Sequence, residues 1–257
     1  VAVGGFNAIL RIIDCSTGKH EKDLIGHGHE IYEIKTHPFS HDLLLSASKD
    51  NSIRLWNVST EVMIAIFAGH LGHVADVISV DWHMNGKFFV SSGVDHYIKV
   101  WKLEESVHKK IEESRSWDKK NAAVTKHMPF KTVHVPFPVF SSNQVHNNYV
   151  DCVRWFGNLI MSKSLNGEVT LWKPNINRRN DSIIVITTYQ YHLDDPIWFQ
   201  KFNLNSQANL LGIGNTTSDI FVFDLNDIYT HSTDQTKKPC QTLHVAKERE
   251  TIRQIGF

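Results

Sequence analysis

These 257 residues predict an all-β architecture on three observations: a block of sequence that recurs, offsets that hold inside each copy, and short alternating segments between turn residues. Gly26-His27 precedes 43–50 (LLLSASKD) and 53–57 (IRLWN); Gly72-His73 precedes 88–95 (FFVSSGVD) and 98–102 (IKVWK). A third copy opens near His146 and carries 159–166 (LIMSKSLN) and 169–173 (VTLWK). Ser46 to Trp56, Ser91 to Trp101 and Ser162 to Trp172 are each ten residues apart, and Asp50, Asp95 and Asn166 each lie six before their tryptophan. Period-2 alternation between Gly, Asn, Asp and Ser turns marks the segments as short strands.

Two degenerate copies flank these three. Residues 1–14 fit with Ile13 at the tryptophan position, and 210–224 (LLGIGNTTSDIFVFD) fit with Phe223 there. Successive spacings are then 43, 45, 71 and 51 residues. Three are close to the ~40–45-residue period of WD40 repeats, and the fourth requires an insertion. The fold predicted is a WD40 β-propeller, incomplete at both ends. Its parts are a partial blade at 1–25, a blade at 26–70, a blade at 71–145 with an insertion at 103–145, blades at 146–192 and 193–247, and the start of a last blade at 248–257.

Each copy also carries a polar set. His27, Ser46, Asp50 and Trp56 form one, His73, Ser91, Asp95 and Trp101 another, with Ser162 and Trp172 in the third copy. An aspartate aimed at a histidine fixes its tautomer, and a buried indole N–H needs an acceptor, so such a set can tie strands together within a blade. Read alone, Ser-His-Asp resembles a hydrolase triad. Recurrence in register assigns the set to structure, because a catalytic site is not repeated once per blade.

Inside the insertion, 104–115 (EESVHKKIEESR) places Val107 and Ile111 at i,i+4 and predicts a short surface helix with a narrow apolar contact. Residues 118–125 are expected to be mobile, and 130–140 (FKTVHVPFPVF) to be extended, since Pro136 and Pro138 forbid a helix. The insertion is either a decorated loop or a docking surface.

Composition excludes several classes of function. Lys+Arg and Asp+Glu are both 27, which argues against a mainly electrostatic nucleic-acid or membrane-surface binder. Cys15, Cys152 and Cys240 are odd in number and far apart, so neither a disulfide framework nor structural zinc is expected, and a reducing compartment is the natural reading. No leader or membrane-spanning run is visible. Among 16 histidines the closest groupings (His27 with His29, His37 with His41, His127 with His134) join no Cys, Asp or Glu at a zinc-like spacing, so no metal is expected. No phosphate loop is present; Gly4-Gly5 and Gly212-x-Gly214 sit in strand or turn positions. Paired acids such as Asp194-Asp195 and Glu104-Glu105 read as solvated loops, leaving no catalytic set.

An aromatic constellation remains: Tyr189, Tyr191, Trp198 and Phe199. Residues 197–202 (IWFQKF) read as the innermost strand of the fifth copy, where adjacent aromatics point to opposite faces. At most one ring would then be core and the other can reach the rim of the channel, where it suits a peptide or, with further rings, a quaternary ammonium; the alternative is that both rings pack between blades.

At 148–157 (NYVDCVRWFG), with Leu159-Ile160 and Ser162-Lys163-Ser164, the sequence closely resembles the extra sex combs / embryonic ectoderm development / fertilization-independent endosperm family, the WD40 subunit of Polycomb repressive complex 2. Further matches are Gly26-His27-Gly28 with Glu33, Ser48-Lys49-Asp50 with Arg54-Leu55-Trp56-Asn57, Ala65-Ile66-Phe67, Asp95-His96, 195–202 and Ile252-Arg253-Gln254. The resemblance runs end to end and includes the insertion. It implies a non-catalytic nuclear subunit without cofactors that scaffolds a SET-domain histone methyltransferase among other Polycomb subunits. It also implies a reader of repressive trimethyl-lysine on the histone H3 tail, with no sequence-specific DNA or membrane binding.

By this resemblance Trp198 matches one cage aromatic, and Phe199 replaces a tyrosine, keeping the π face and losing the hydroxyl. Arg253 matches an arginine that contacts the peptide backbone, Lys201 stands where arginine is usual, and Lys49, Tyr149 and Asp151 match rim or channel positions. The family's other cage aromatics lie upstream of the position matching Val1 and its last blade runs past Phe257. The chain is therefore expected to be a fragment that does not bind the peptide alone. Two other readings compete: a generic WD40 interaction scaffold such as a ubiquitin-ligase substrate receptor, which the 148–157 word disfavours, and a propeller enzyme, for which no acid pair or metal set is visible.

Overall fold

The computed structural model describes residues 1–118, 130–175, 182–193, 195–226, 236–245 and 250–256. His127, Asp194 and most of the stretch expected to be mobile (119–125) lie outside these residues. The chain forms two compact units, Val1–Asp95 with Lys99–Ser141, and His96–Ile98 with Ser142–Phe257.

The first unit holds three sheets. Strands β1 (Ala2–Val3), β2 (Ile9–Ile13) and β3 (His20–Ile25) form an antiparallel meander in that order. The second sheet is a full four-stranded meander of β4 (Ile31–Thr36), β5 (Leu43–Ser48), β6 (Ile53–Asn57) and β7 (Val62–Phe67). The third contains β8 (Val77–Trp82), β9 (Phe88–Gly93) and β10 (Ile98–Lys102). The repeat's strict offsets come from this geometry: Ser46 opposes Arg54 and Leu44 opposes Trp56 in the β5–β6 register, so both serine and tryptophan have fixed places across the pair.

The insertion departs between the third and fourth strands of the third blade. It opens with helix α1 (Glu105–Arg115), whose buried residues are Val107, Ile111 and Ser114. Glu105 in the first turn and Arg115 in the last complement the helix dipole. Val107 and Ile111 join the core that contains Leu55, Phe67, Phe89 and Trp101. Each such burial is worth about 1.5–3 kcal/mol, which fixes a helix whose outer face is charged. Ser114 Oγ accepts a hydrogen bond of 3.0 Å from Asn57 Nδ2.

The proline-bearing stretch then returns as two edge strands. Strand β11 (Val133–Val135) pairs parallel with β7 as a fifth strand, and β12 (Phe140–Ser142) pairs with β10, completing the third sheet in the order β12-β10-β9-β8. Pro136 and Pro138 fall between the two strands, where no ladder N–H is required.

The second unit holds two sheets. Strands β13 (Val150–Phe156), β14 (Leu159–Ser164), β15 (Glu168–Pro174) and β16 (Ile183–Gln190) form a meander, to whose edge β20 (Thr236–Lys237) adds in parallel. The last sheet runs β17 (Asn203–Leu204), β18 (Leu210–Gly214), β19 (Asp219–Asp224) and β21 (Gln241–His244). A shared core of Cys152, Met161, Leu171, Tyr189, Tyr191, Phe202, Ile213 and Phe223 packs the two together.

One expectation is corrected here. Residues 197–202 are not a strand: β17 starts only at Asn203, and Phe199 adopts φ = 66°. A left-handed phenylalanine breaks period-2 alternation and is tolerated only where its surroundings over-determine it. Residues 250–256 carry no strand. They lie along the fifth sheet, with the Ile252 N–H donating to Asn215 O at 2.9 Å and the Ser218 N–H to Glu250 O at 3.0 Å. Gly214 permits that approach, since a Cβ there would run into Ile252.

Candidate functional site

The repeated polar sets are assembled inside the blades. In the second sheet the Trp56 indole N–H donates to Ser46 Oγ at 2.9 Å, Ser46 Oγ lies 2.6 Å from His27 Nε2, and His27 Nδ1–H donates to Asp50 at 2.8 Å. In the third, Trp101 donates to Ser91 Oγ at 2.9 Å, which lies 2.8 Å from His73 Nε2, and His73 Nδ1 donates to Asp95 at 2.8 Å. Burial lowers both histidines below the ordinary imidazole value, although the aspartates pull the other way. Burial alone would raise Asp50, but the hydrogen bond and charge of His27, with Ser52 and the Gly28 N–H, hold its carboxyl well below the usual range. A neutral imidazole accepting from serine at Nε2 cannot activate that serine and leave it free, since the hydroxyl is committed to tryptophan and histidine together. The chemistry is that of a fixed strut.

The fourth sheet departs from this pattern. Trp172 Nε1 donates to Ser162 Oγ at 2.9 Å and His146 Nε2 lies 2.7 Å from the same oxygen. Asn166 stands where the other blades carry aspartate, and His146 Nδ1 has no hydrogen-bond partner among the described residues. Burial drives this imidazole down to about 4.

The ligand candidates gather elsewhere in the second unit, on the loop leading into β17. Trp198 is exposed and Phe199 half-buried, and their rings meet edge to face with centroids 5.9 Å apart. The expectation that the neighbouring rings diverge therefore fails, because the positive φ at Phe199 turns both to one side. Tyr189 and Tyr191 do not join them. Both are buried in the core, packed on Phe223 and Phe221 at 5.4 and 5.8 Å.

Arg253 braces this loop from the exposed end of the chain: Nη1 donates to Trp198 O at 2.9 Å, while its own carbonyl accepts from the Lys201 N–H at 2.7 Å. Lys201 and Asp151 are both buried. Lys201 Nζ donates to Asp151 O at 2.8 Å and sits 5.2 Å from the Phe199 ring centroid. The Asp151 carboxylate takes two hydrogen bonds from Lys163 Nζ, at 2.8 and 2.9 Å, and one from the Gln200 N–H at 3.1 Å. Lys163 and Gln200 were not singled out from sequence. Lys163 occupies a strand position that is apolar in the second sheet (Ala47), and that substitution was the available signal.

Tyr149 is exposed and packs edge to face on His96 at 5.6 Å. Lys49 stands in the first unit, where its ammonium lies 3.3 Å from Glu30. Among the described residues no group of three His, Cys, Asp or Glu could hold a metal ion, and the three cysteines are free thiols.

Comparison with known proteins places this geometry. The family model "WD domain, G-beta repeat" matches residues 18–57 and 62–102. The Polycomb group protein FIE2 of Zea mays is 38% identical over all of this chain and 68% of its own length. The Polycomb protein esc of Drosophila melanogaster is 37% identical, again over the whole chain and 60% of its own. The chain belongs to the esc/FIE family of Polycomb proteins. It spans about 60% of the length of several of these relatives. Among solved structures, a chain of the Polycomb repressive complex 2 from Chaetomium thermophilum superposes with a TM-score of 0.72 at 22% identity, covering 88% of this chain and 51% of that one. A similar match, also with a TM-score of 0.72, was solved in complex with H3K27me3. At that identity the match speaks for the fold, a WD40 β-propeller present in part. The buried struts of the esc/FIE chain described above account for why this fold's repeats carry His, Ser, Asp and Trp at fixed offsets.

Proposed function

We propose that this esc/FIE chain acts as a non-catalytic nuclear subunit of a Polycomb histone methyltransferase complex. In this reading it scaffolds the SET-domain enzyme and reads trimethyl-lysine on the histone H3 tail. The observation that carries the reading is the convergence of Trp198, Phe199, Lys201 and Arg253 on one loop, with an exposed indole beside a half-buried phenyl ring. Two rings meeting edge to face present electron-rich surface to a quaternary ammonium, worth about 0.5–2 kcal/mol per contact. Arg253 is exposed at the same place, and its guanidinium already recognises one backbone carbonyl, that of Trp198. Aromatics contributed by other parts of the full-length protein would complete the enclosure.

The non-catalytic reading is supported by how the polar sets are used. Each serine among them is hydrogen-bonded to both a tryptophan and a histidine inside a blade. The scaffold half is tested by asking whether the full-length protein, purified from cells, retains a SET-domain methyltransferase; loss of that association under conditions that keep other subunits bound would overturn it. The reader half is tested by calorimetry of the full-length protein with an H3-tail peptide carrying trimethyl-lysine. Trp198→Ala should weaken binding by about two- to thirty-fold, and unaltered affinity would remove Trp198 from the site.

A further inference from the structure

The Phe199 ring is not electrostatically neutral ground for a ligand cation. Lys201 Nζ stands 5.2 Å from the ring centroid, within the range of a cation–π contact. Its position is fixed: Lys201 is buried, its ammonium donates to Asp151 O, and its backbone N–H donates to Arg253 O. Asp151 is itself immobilised by Lys163 and by the Gln200 N–H, so the carbonyl that holds Lys201 belongs to a rigid hub. A lysine stem in such a place is ordered, and its charge becomes a permanent part of the site.

We propose that Lys201 is a specificity-determining residue of this aromatic pair, a resident cation on Phe199 that lowers the affinity for cationic ligands. The inference rests on the reading of Trp198 and Phe199 as an ammonium site. Its physics is independent of the ligand's exact pose. A ligand ammonium on the opposite face shares one ring quadrupole with Lys201 and meets a like charge roughly 9–10 Å away, taking a cation–π contact distance on each side of the ring. A ligand on the same face must displace it. Either way the pair binds a cation more weakly than its aromatic content implies, by about three- to ten-fold after partial screening at an effective dielectric near 20.

The test compares two H3-tail peptides of identical sequence, one with trimethyl-lysine and one with its neutral carbon isostere, binding to the full-length protein in calorimetry. Lys201→Met should tighten the trimethyl-lysine peptide about three- to ten-fold and leave the neutral peptide unchanged. Lys201→Arg, which keeps the charge, should change neither. Lys201→Gln retains a donor for Asp151 O and should reproduce the gain, which separates lost charge from a loosened loop. A residue that merely positions Phe199 would move both peptides together, so equal weakening of the two, or equal gain with arginine, overturns the proposal. If the wild type binds trimethyl-lysine and Lys201→Met shows no gain, the inference alone fails. If neither protein binds the charged peptide, the ammonium-site reading fails and the inference with it.

Discussion

At the scale of single residues, the fourth sheet is a natural experiment in which one acid has been removed. His27 and His73 each donate Nδ1–H to an aspartate, whereas His146 has Asn166 in the corresponding place and a buried Nδ1 with no hydrogen-bond partner among the described residues. An unmade bond at a buried group costs about 1–3 kcal/mol. Asn166→Asp should therefore stabilise the protein by about 1 kcal/mol at pH 7, read as a rise in urea midpoint. The sign with pH follows from linkage. The folded pKa of His146 is about 4 against an ordinary 6.5, so its neutral form is favoured in the fold. That contribution is complete above pH 6.5 and is lost as pH falls toward 4. A carboxylate beside Nδ1 raises the folded value, so the variant should lose less stability between pH 7 and 5 than the wild type. An equal or steeper loss would show that the new acid does not reach the ring. Asp151 poses the opposite case. Both it and Lys163 are fully buried, and Asp151→Asn leaves the ammonium without its counter-charge. Roughly 3–5 kcal/mol of destabilisation is expected, together with a loosened 199–201 loop.

Helix α1 shows at the element scale how an insertion is anchored by very little. Val107 and Ile111 are its only buried apolar residues, four apart, and both enter the core of the first unit. Ile111→Ala should cost about 2–3 kcal/mol and expose backbone amides of α1 and β11 to hydrogen exchange before those of β5 and β6. Uniform loss of protection across these strands would mean that the helix is integral to the blade. The i,i+4 pattern made this helix legible in sequence, and the Ser-to-Trp offsets made β5, β6, β9, β10, β14 and β15 legible, because period and side-chain pairing are local. Other elements were hidden because what determines them is not local. The fourth strand of the third blade arrives as Phe140–Ser142, beyond the whole insertion, and β11 joins β7 in parallel where no turn links them. The 197–202 segment misled for a different reason. Its aromatic-rich composition suits a strand, but Phe199 sits at positive φ, held by Arg253 and Asp151 from distant parts of the chain. Trp198 and Phe199 were thus legible as candidates, while Lys163 and Gln200, which position them through Asp151, were not.

Charge is the property that the molecule expresses as a whole. Lys+Arg and Asp+Glu balance at 27 each, and among the described residues part of the positive charge is paired. Arg11 pairs with Asp23, Lys35 with Glu33 and Asp81, Lys49 with Glu30, Lys102 with Glu104, Arg115 with Glu112 and Asp42, and Lys163 with Asp151. Each exposed pair contributes under about 1 kcal/mol to stability. Their consequence lies instead in recognition. Duplex DNA is bound non-specifically by releasing counterions, with log K falling by about 0.9 per phosphate contacted for each ten-fold rise in salt. A cation already facing a carboxylate must surrender that partner to neutralise a phosphate, which removes most of the gain. The protein should therefore show a shallow salt slope on a random 30-base-pair duplex, corresponding to about two contacts or fewer, and negligible binding at 150 mM salt. On the proposed reading, affinity for a trimethyl-lysine peptide should respond to Trp198→Ala and be indifferent to competing DNA. A slope equivalent to six or more phosphates would instead reveal a clustered basic surface, and the route to chromatin would then run through the DNA backbone rather than through the histone tail.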